Sequence, residues 1–372
     1  MKAKLLSVTA LSLGAATAHA GGLDRTYTPI DIIFEQGNYA ELSFAYSWPD
    51  LTGTDVLGNG ISNVGNNFGM FGAGVKIDFN DRLSMALIFD QPYGADVEYG
   101  GNPAATMLGG TLAEAETDAL TALLKYRVTD RISIYGGPRI VKAEGKITLS
   151  GLSYGPANGS DFSFSSDTGI GTVLGAAYEI PDIALRVALT YHSSIDLSLR
   201  TTETIPVAAG GPGVPVTFGN TDTELPETWE LSVQTGIARD TLAFASIRRA
   251  EWSAFTLTPP LFGTNLSELD DTTTYEIGVG RRFSDRLSGS LAFTYEDASS
   301  NDLVSPLAPT NGLFAVSVGA KYKLNEMVDV SGGIRYTWLG DADPETGTPD
   351  TKRASFRNND AISAAVKLGF HF

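Results

Sequence analysis

Along most of the chain apolar and polar residues alternate with a period of two, the period of a β-strand with unlike faces. In 82–90, Leu83, Met85, Leu87 and Phe89 share a face opposite Arg82, Ser84, Ala86 and Asp90. In 286–295, Leu287, Leu291, Phe293 and Tyr295 oppose Ser288, Ser290, Ala292 and Thr294. Segments 328–338 and 362–372 repeat the pattern, the second ending on Phe372. Between such runs the chain writes one polar turn three times: Asn80-Asp81-Arg82-Leu83-Ser84, Thr129-Asp130-Arg131-Ile132-Ser133 and Ser284-Asp285-Arg286-Leu287-Ser288. A short polar turn between alternating runs is a hairpin signal, and recurrence across the chain predicts an up-and-down array.

The array can be counted. Six short turns fall at 80–81, 129–130, 181–182, 239–240, 284–285 and 325–326. Seven longer Gly/Pro/Asp-rich stretches fall near 49–67, 94–116, 151–160, 201–225, 257–272, 299–311 and 341–358. Thirteen connections join fourteen strands, an even number that lets a single-chain barrel close.

A soluble sandwich also alternates, but two details favour a membrane wall. Aromatic residues recur near strand ends (Tyr46, Trp48, Phe89, Tyr126, Trp338, Phe370), where interfacial girdles sit. The polar face carries Lys76, Arg186, Arg335 and Lys367, charges that a sandwich core would not accept unpaired. The expected fold is all-β: a 14-stranded antiparallel up-and-down transmembrane β-barrel over 38–372, preceded by a short N-terminal plug at 21–37. Short turns then face the periplasm, and the long loops face outward.

The first twenty residues read as an export signal, with Lys2 and Lys4, an apolar run, and Ala18-His19-Ala20 as a small-x-small cleavage site. Its removal takes the formal charge from −17 to −19, because two lysines leave. That acidity argues against nucleic acid as a partner. The absence of cysteine excludes disulfide and thiolate chemistry, and His192 and His371 alone are too few for a histidine metal cage.

Several stretches resemble the FadL/TodX family of outer-membrane transporters for long-chain fatty acids and other hydrophobic compounds. They are Phe89-Asp90-Gln91-Pro92-Tyr93-Gly94, followed by an acidic loop and Leu123-Leu124-Lys125-Tyr126-Arg127; Leu225-Pro226-Glu227-Thr228-Trp229-Glu230-Leu231-Ser232 with Ala250-Glu251-Trp252-Ser253-Ala254-Phe255; Thr274–Gly280; and the closing Val366–Phe372. The resemblance implies the bacterial outer membrane, capture of a hydrophobic small molecule among the outer loops, a lumen plugged by an N-terminal hatch, and an inward kink of the third strand that releases cargo into outer-membrane lipid. It implies no reaction and no cofactor. The terminal Phe372 resembles the signal read by the outer-membrane assembly machinery. The chain departs from the family at the hatch, where 21–37 offers seventeen residues instead of about forty.

Some candidates stand without the resemblance. Pro92 cannot donate to a sheet ladder and Gly94 tolerates unusual dihedrals, so Gln91, Pro92, Tyr93 and Gly94 predict a kink where alternation stops; the alternative is that the strand ends at Asp90. The run 205–216 is uncharged, so Ile205, Val207, Val214 and Val216 suggest an outer capture surface with Met107 and Leu108. Arg139, Arg186 and Arg335 point into the lumen, where a guanidinium can clasp a carboxylate ligand or pair with lumen acids such as Glu230, Glu276 or Asp329.

Two rivals remain open at this stage. A general diffusion porin commonly has sixteen or eighteen strands, more than the count here. A barrel hydrolase would need His192 as base beside Ser193, Ser194 and Asp196.

Overall fold

The computed structural model describes residues 22–26, 28–206, 213–299 and 301–372, which leaves the leader outside the described residues. Fourteen antiparallel strands form one closed wall. They begin with β1 (Tyr39–Asp50), β2 (Phe68–Asp78), β3 (Leu83–Asp90, resuming at Gly94–Glu98), β4 (Leu112–Arg127) and β5 (Ile132–Leu149). Next come β6 (Ser160–Ile180), β7 (Leu185–His192, resuming at Ile195–Thr204), β8 (Val216–Leu225, resuming at Thr228–Ala238) and β9 (Thr241–Ala250). The wall ends with β10 (Thr272–Arg282), β11 (Leu287–Glu296), β12 (Leu313–Lys323), β13 (Val328–Leu339) and β14 (Asp360–His371). Closure is by β1 against β14, in register from Tyr39↔His371 to Asp50↔Asp360, so the sheet has no free edge.

The repeated turn owes its form to its first residue. The Asn80 side-chain oxygen accepts from the N–H groups of Arg82 at 2.9 Å and Leu83 at 3.0 Å. Thr129 serves Arg131 and Ile132, Ser284 serves Arg286 and Leu287, and Asn325 serves Met327 and Val328 in the same way. A side chain that mimics a turn carbonyl reverses the chain without glycine.

The outward face marks where lipid lies. On β4 it runs Glu114, Glu116, Asp118 and then Leu120, Leu124 and Tyr126, all exposed. On β5 Lys142 pairs with Asp118 and Ile140 with Leu120, so the change from charge to hydrocarbon falls at the same height on both strands. That height is the outer membrane boundary. Between there and the periplasmic turns, side chains such as Leu42, Ile134, Leu174, Ile277 and Ile334 are exposed because lipid, not water, covers them.

The stretch 201–225, whose composition suggests a loop, is mostly strand: β7 runs to Thr204 and β8 starts at Val216. Threonines pair across it, with Thr201 and Thr221 hydroxyls 2.7 Å apart, and β-branched pairs favour extended chain. β7 and β8 thereby rise as a tall hairpin above the membrane boundary.

Candidate functional site

β3 breaks at the membrane boundary. It pairs with β2 only as far as Ala73↔Phe89. With β4 it pairs through Asp90↔Ala119 and again from Gly94↔Glu116, so the three residues 91–93 face two, 117 and 118. The extra residue is a bulge at Pro92, where proline removes a donor. Several of the freed groups find partners, as burial requires. Tyr93 N–H donates to Thr117 Oγ1 at 2.9 Å, and that hydroxyl returns a bond to the Tyr93 carbonyl at 2.8 Å.

Others are taken by the N-terminal segment. Arg25 and Thr26 N–H groups donate to the Pro92 carbonyl at 2.7 and 3.2 Å, and Gly94 N–H donates to the Leu23 carbonyl at 2.8 Å. Asp24 forms an isolated bridge with Tyr93. Its carboxylate reaches across the lumen to Arg248, accepting from Nη2 at 2.8 Å and Nη1 at 3.1 Å, and from Trp252 Nε1 at 2.9 Å. Further on, the short 3-10 turn Ile30–Phe34 buries Ile30, Ile32 and Ile33 against Ala86, Ile88, Leu123 and Val173. Gly74 leaves room for Ile32, whose Cδ1 would stand 2.4 Å from a Cβ placed there. Asp31 pairs with Arg186 at 2.6 Å, and Arg186 lies over the Phe34 ring at 4.4 Å. The described part of 22–37 thus lies within the lumen, tied to several strands.

Above the break lies an apolar cavity of about 80 Å³. Small residues on neighbouring strands carve it: Ala113 and Ala115 on β4, Ala143 and Gly145 on β5. Phe164, Leu197, Leu199 and Leu225 form its far side, and Phe255, Leu257, Leu269 and Leu307 from the outer loops roof it. Leu23, Tyr93 and Gly94 form its floor. Its inward-facing polar groups are the hydroxyls of Thr117, Thr223, Ser267 and Ser305, whereas Glu114, Glu116, Glu144 and Lys146 on the same strands are exposed on the outer face.

Beneath the Tyr93 ring the lumen becomes polar. Arg139 lies 5.7 Å from that ring's centre, 3.1 Å from His192 Nδ1, and 3.9 Å from Asp90 Oδ2. It is buried, and its Nε and Nη2 make no hydrogen bond. Tyr93 also meets Trp252 edge-on at 5.2 Å. The ring therefore separates an uncharged cavity from a guanidinium.

The other candidate residues fall in different places. Gln91, Pro92, Tyr93 and Gly94 occupy the break. Arg335 is buried, with Nε 3.4 Å from Thr337 Oγ1, away from the cavity lining. Asp329 pairs with Lys321 at 3.1 Å and His371 at 2.8 Å, and not with an arginine. Met107 and Leu108 are buried in the core under the 151–153 loop, whose Ser153 N–H donates to the Met107 carbonyl. Ile205 is half-buried and Val214 and Val216 are exposed, none of them lining the cavity; Val207 lies outside the described residues. His192 faces a guanidinium, while Ser193 Oγ accepts from Thr172 N–H and donates to the Ser194 carbonyl. That arrangement has neither a hydroxyl on the imidazole nor a carboxylate behind it, the two contacts a hydrolytic triad needs. The cavity-lining alanines and Asp24 carry no signal in a strand pattern. Asp24 alone could have been suspected, as an acid in a segment that the strand count assigns to the lumen.

A family model described as outer membrane protein transport protein (OMPP1/FadL/TodX) matches residues 62–372. Among solved structures, a Pseudomonas aeruginosa FadL homologue is similar with a TM-score of 0.74 at 18% identity, covering 96% of this chain and 97% of that one. The Pseudomonas putida toluene transporter TodX gives 0.67 at 15% identity, covering 96% and 98%. The Ralstonia pickettii toluene transporter TbuX gives 0.64 at 14%, covering 96% and 97%. At these identities the likeness is one of fold. No curated protein matches the sequence.

Proposed function

Because the chain belongs to the OMPP1/FadL/TodX family, and so is a non-enzymatic bacterial outer-membrane transporter of hydrophobic compounds, we propose that its cargo is small, uncharged and apolar, and that it moves by passive diffusion. One observation carries this reading: the cavity presents hydrocarbon and hydroxyl groups inward and no charge. A buried carboxylate would need a cationic or multiply hydrogen-bonding partner there. Similar proteins are named toluene transporters, which agrees with such a cargo. Release through the gap between β2 and β3 fits a backbone already unpaired beyond Phe89 at the membrane boundary.

A second reading, long-chain fatty acids, draws on Arg139, whose buried Nε and Nη2 make no hydrogen bond below the Tyr93 ring. It requires the ring to turn aside so that a carboxylate head can pass. The test is uptake of radiolabelled toluene and of laurate by intact Gram-negative cells making the protein. Toluene uptake above empty cells, abolished by Ala115→Phe filling the cavity, supports the neutral cargo. Laurate uptake without toluene uptake overturns it. The Phe372 assembly signal is part of the same proposal: Phe372→Ala should lower the amount of folded barrel in the outer membrane without changing uptake per folded molecule.

A further inference from the structure

The cavity is backed by a second space. On the outer face, at the height of the β3 break, a polar cleft of about 690 Å³ is bounded by Phe68 and Gly69 of β2 and by Ala95 and Asp96 of β3. The two strands are unpaired at this height, since their ladder stops at Ala73↔Phe89. Ala95, Ala115, Gly145 and Phe164 line both cleft and cavity, so only one thickness of wall divides them. Neither β2 nor β3 fills the gap. Arg25 does.

Arg25 comes from the N-terminal segment, from inside the barrel, yet its side chain lines the outer cleft. Its guanidinium lies over the Phe68 ring, 4.5 Å from the centroid. On the other side it packs on Gly94 so closely that a Cβ there would stand 2.5 Å from the guanidinium carbon and from Nε. Asp96 and Glu116 are the acids that attract it. A planar cation fits this slot for two reasons: it stacks on the aromatic face, and its charge is held by acids at the headgroup level.

We propose that Arg25 is the bolt of the β2–β3 window, and that cargo leaves the cavity only when Arg25 withdraws. This rests on the lateral route proposed above. The coupling is built into the segment. Leu23 lines the cavity and Arg25 fills the window two residues on, with Asp24 between them anchored to Arg248 and Trp252. A molecule that displaces Leu23 must strain the same short extended stretch that positions Arg25. Occupancy of the cavity thereby loosens the bolt, and the empty protein keeps its wall closed.

The chain has no cysteine, so a single one can report on the path. Ala115→Cys places a thiol in the cavity wall, and a membrane-partitioning pyrenyl maleimide reaches it through the window. In the folded barrel, Arg25→Ala and Arg25→Gln should speed its labelling roughly threefold to tenfold, from the loss of a cation–π contact and its charge. Arg25→Lys, which keeps the charge but loses the planar stack on Phe68, should label at a rate between the Arg25 protein and those two variants. Unchanged labelling in both Ala and Gln variants overturns the bolt. So does an equal acceleration with a water-soluble maleimide, which would place the route among the loops. Faster pyrenyl labelling without toluene uptake would keep the bolt and refute the neutral cargo, so the two proposals fail separately.

Discussion

Tyr93 stands where the lumen changes chemistry. Above its ring are Ala113, Ala115 and Leu23; below it is the guanidinium of Arg139, 5.7 Å from the ring centre. An aromatic face tolerates that cation while hiding it from the cavity. Tyr93→Ala should therefore change selectivity more than folding. Exposing Arg139 offers a carboxylate a charge-assisted partner, so laurate affinity in detergent should rise roughly tenfold or more. Adding Arg139→Gln should erase the gain, and titration calorimetry of single and double variants checks both. A rise that survives Arg139→Gln would assign the head group to another residue. Gly94 is the second informative position, because any side chain there meets both Arg25 and the Ala115 carbonyl oxygen, 2.8 Å from the added Cβ. Pro92 and Gly94 were legible as a break because their backbone chemistry is local. The role of Tyr93 was not, since it depends on Arg139 and Trp252, which stand far along the chain.

At the scale of elements, the segment 22–37 behaves less like a stopper than like an inserted strand. Leu23 to Thr26 takes hydrogen bonds that β2 no longer supplies to β3, and the Ile30–Phe34 turn fills the lumen below. The two halves are anchored differently, one by the Asp24–Arg248 pair and the other by apolar burial and the Asp31–Arg186 pair. Removing one partner of a buried pair costs about 3–5 kcal/mol, because the other charge is left without its match. Asp24→Ala should thus release 22–26 while 30–34 stays seated. Amide exchange should show protection lost at Arg25 and Thr26 and kept at Ile32, and loss at all three would mean one cooperative unit. Strand number was legible because each turn residue acts within its own loop, as Asn80 does for Arg82 and Leu83. The breaks at 193–194 and 226–227 were not, because β7 and β8 keep one register across them and the alternation hardly changes.

For the whole molecule, the strongly acidic balance gathers above the membrane, and part of it sits on the roof of the cavity. Glu345 lies between β13 and β14, almost buried, with one carboxylate oxygen making no hydrogen bond. Burial, with Asp350, Glu268 and Asp270 nearby, pushes its carboxyl up from an ordinary 4.5 to about 7. Glu268 belongs to the loop that contributes Ser267 and Leu269 to the cavity, so the acids join the rim to the roof. A carboxyl raised in the packed state prefers its proton there. Its stabilising contribution is complete below the ordinary value of 4.5 and is lost as pH rises through about 7. The outer loops should accordingly pack more tightly at about pH 5 than at about pH 8, where four carboxylates repel. Amide exchange over 341–358 and 266–270, corrected for intrinsic rates, should slow on acidification, and Glu345→Gln should remove most of the difference. Exchange that quickens on acidification would mean that the loops are held by ion pairs such as Lys352–Asp343 and Arg357–Asp343, and not opposed by the acids.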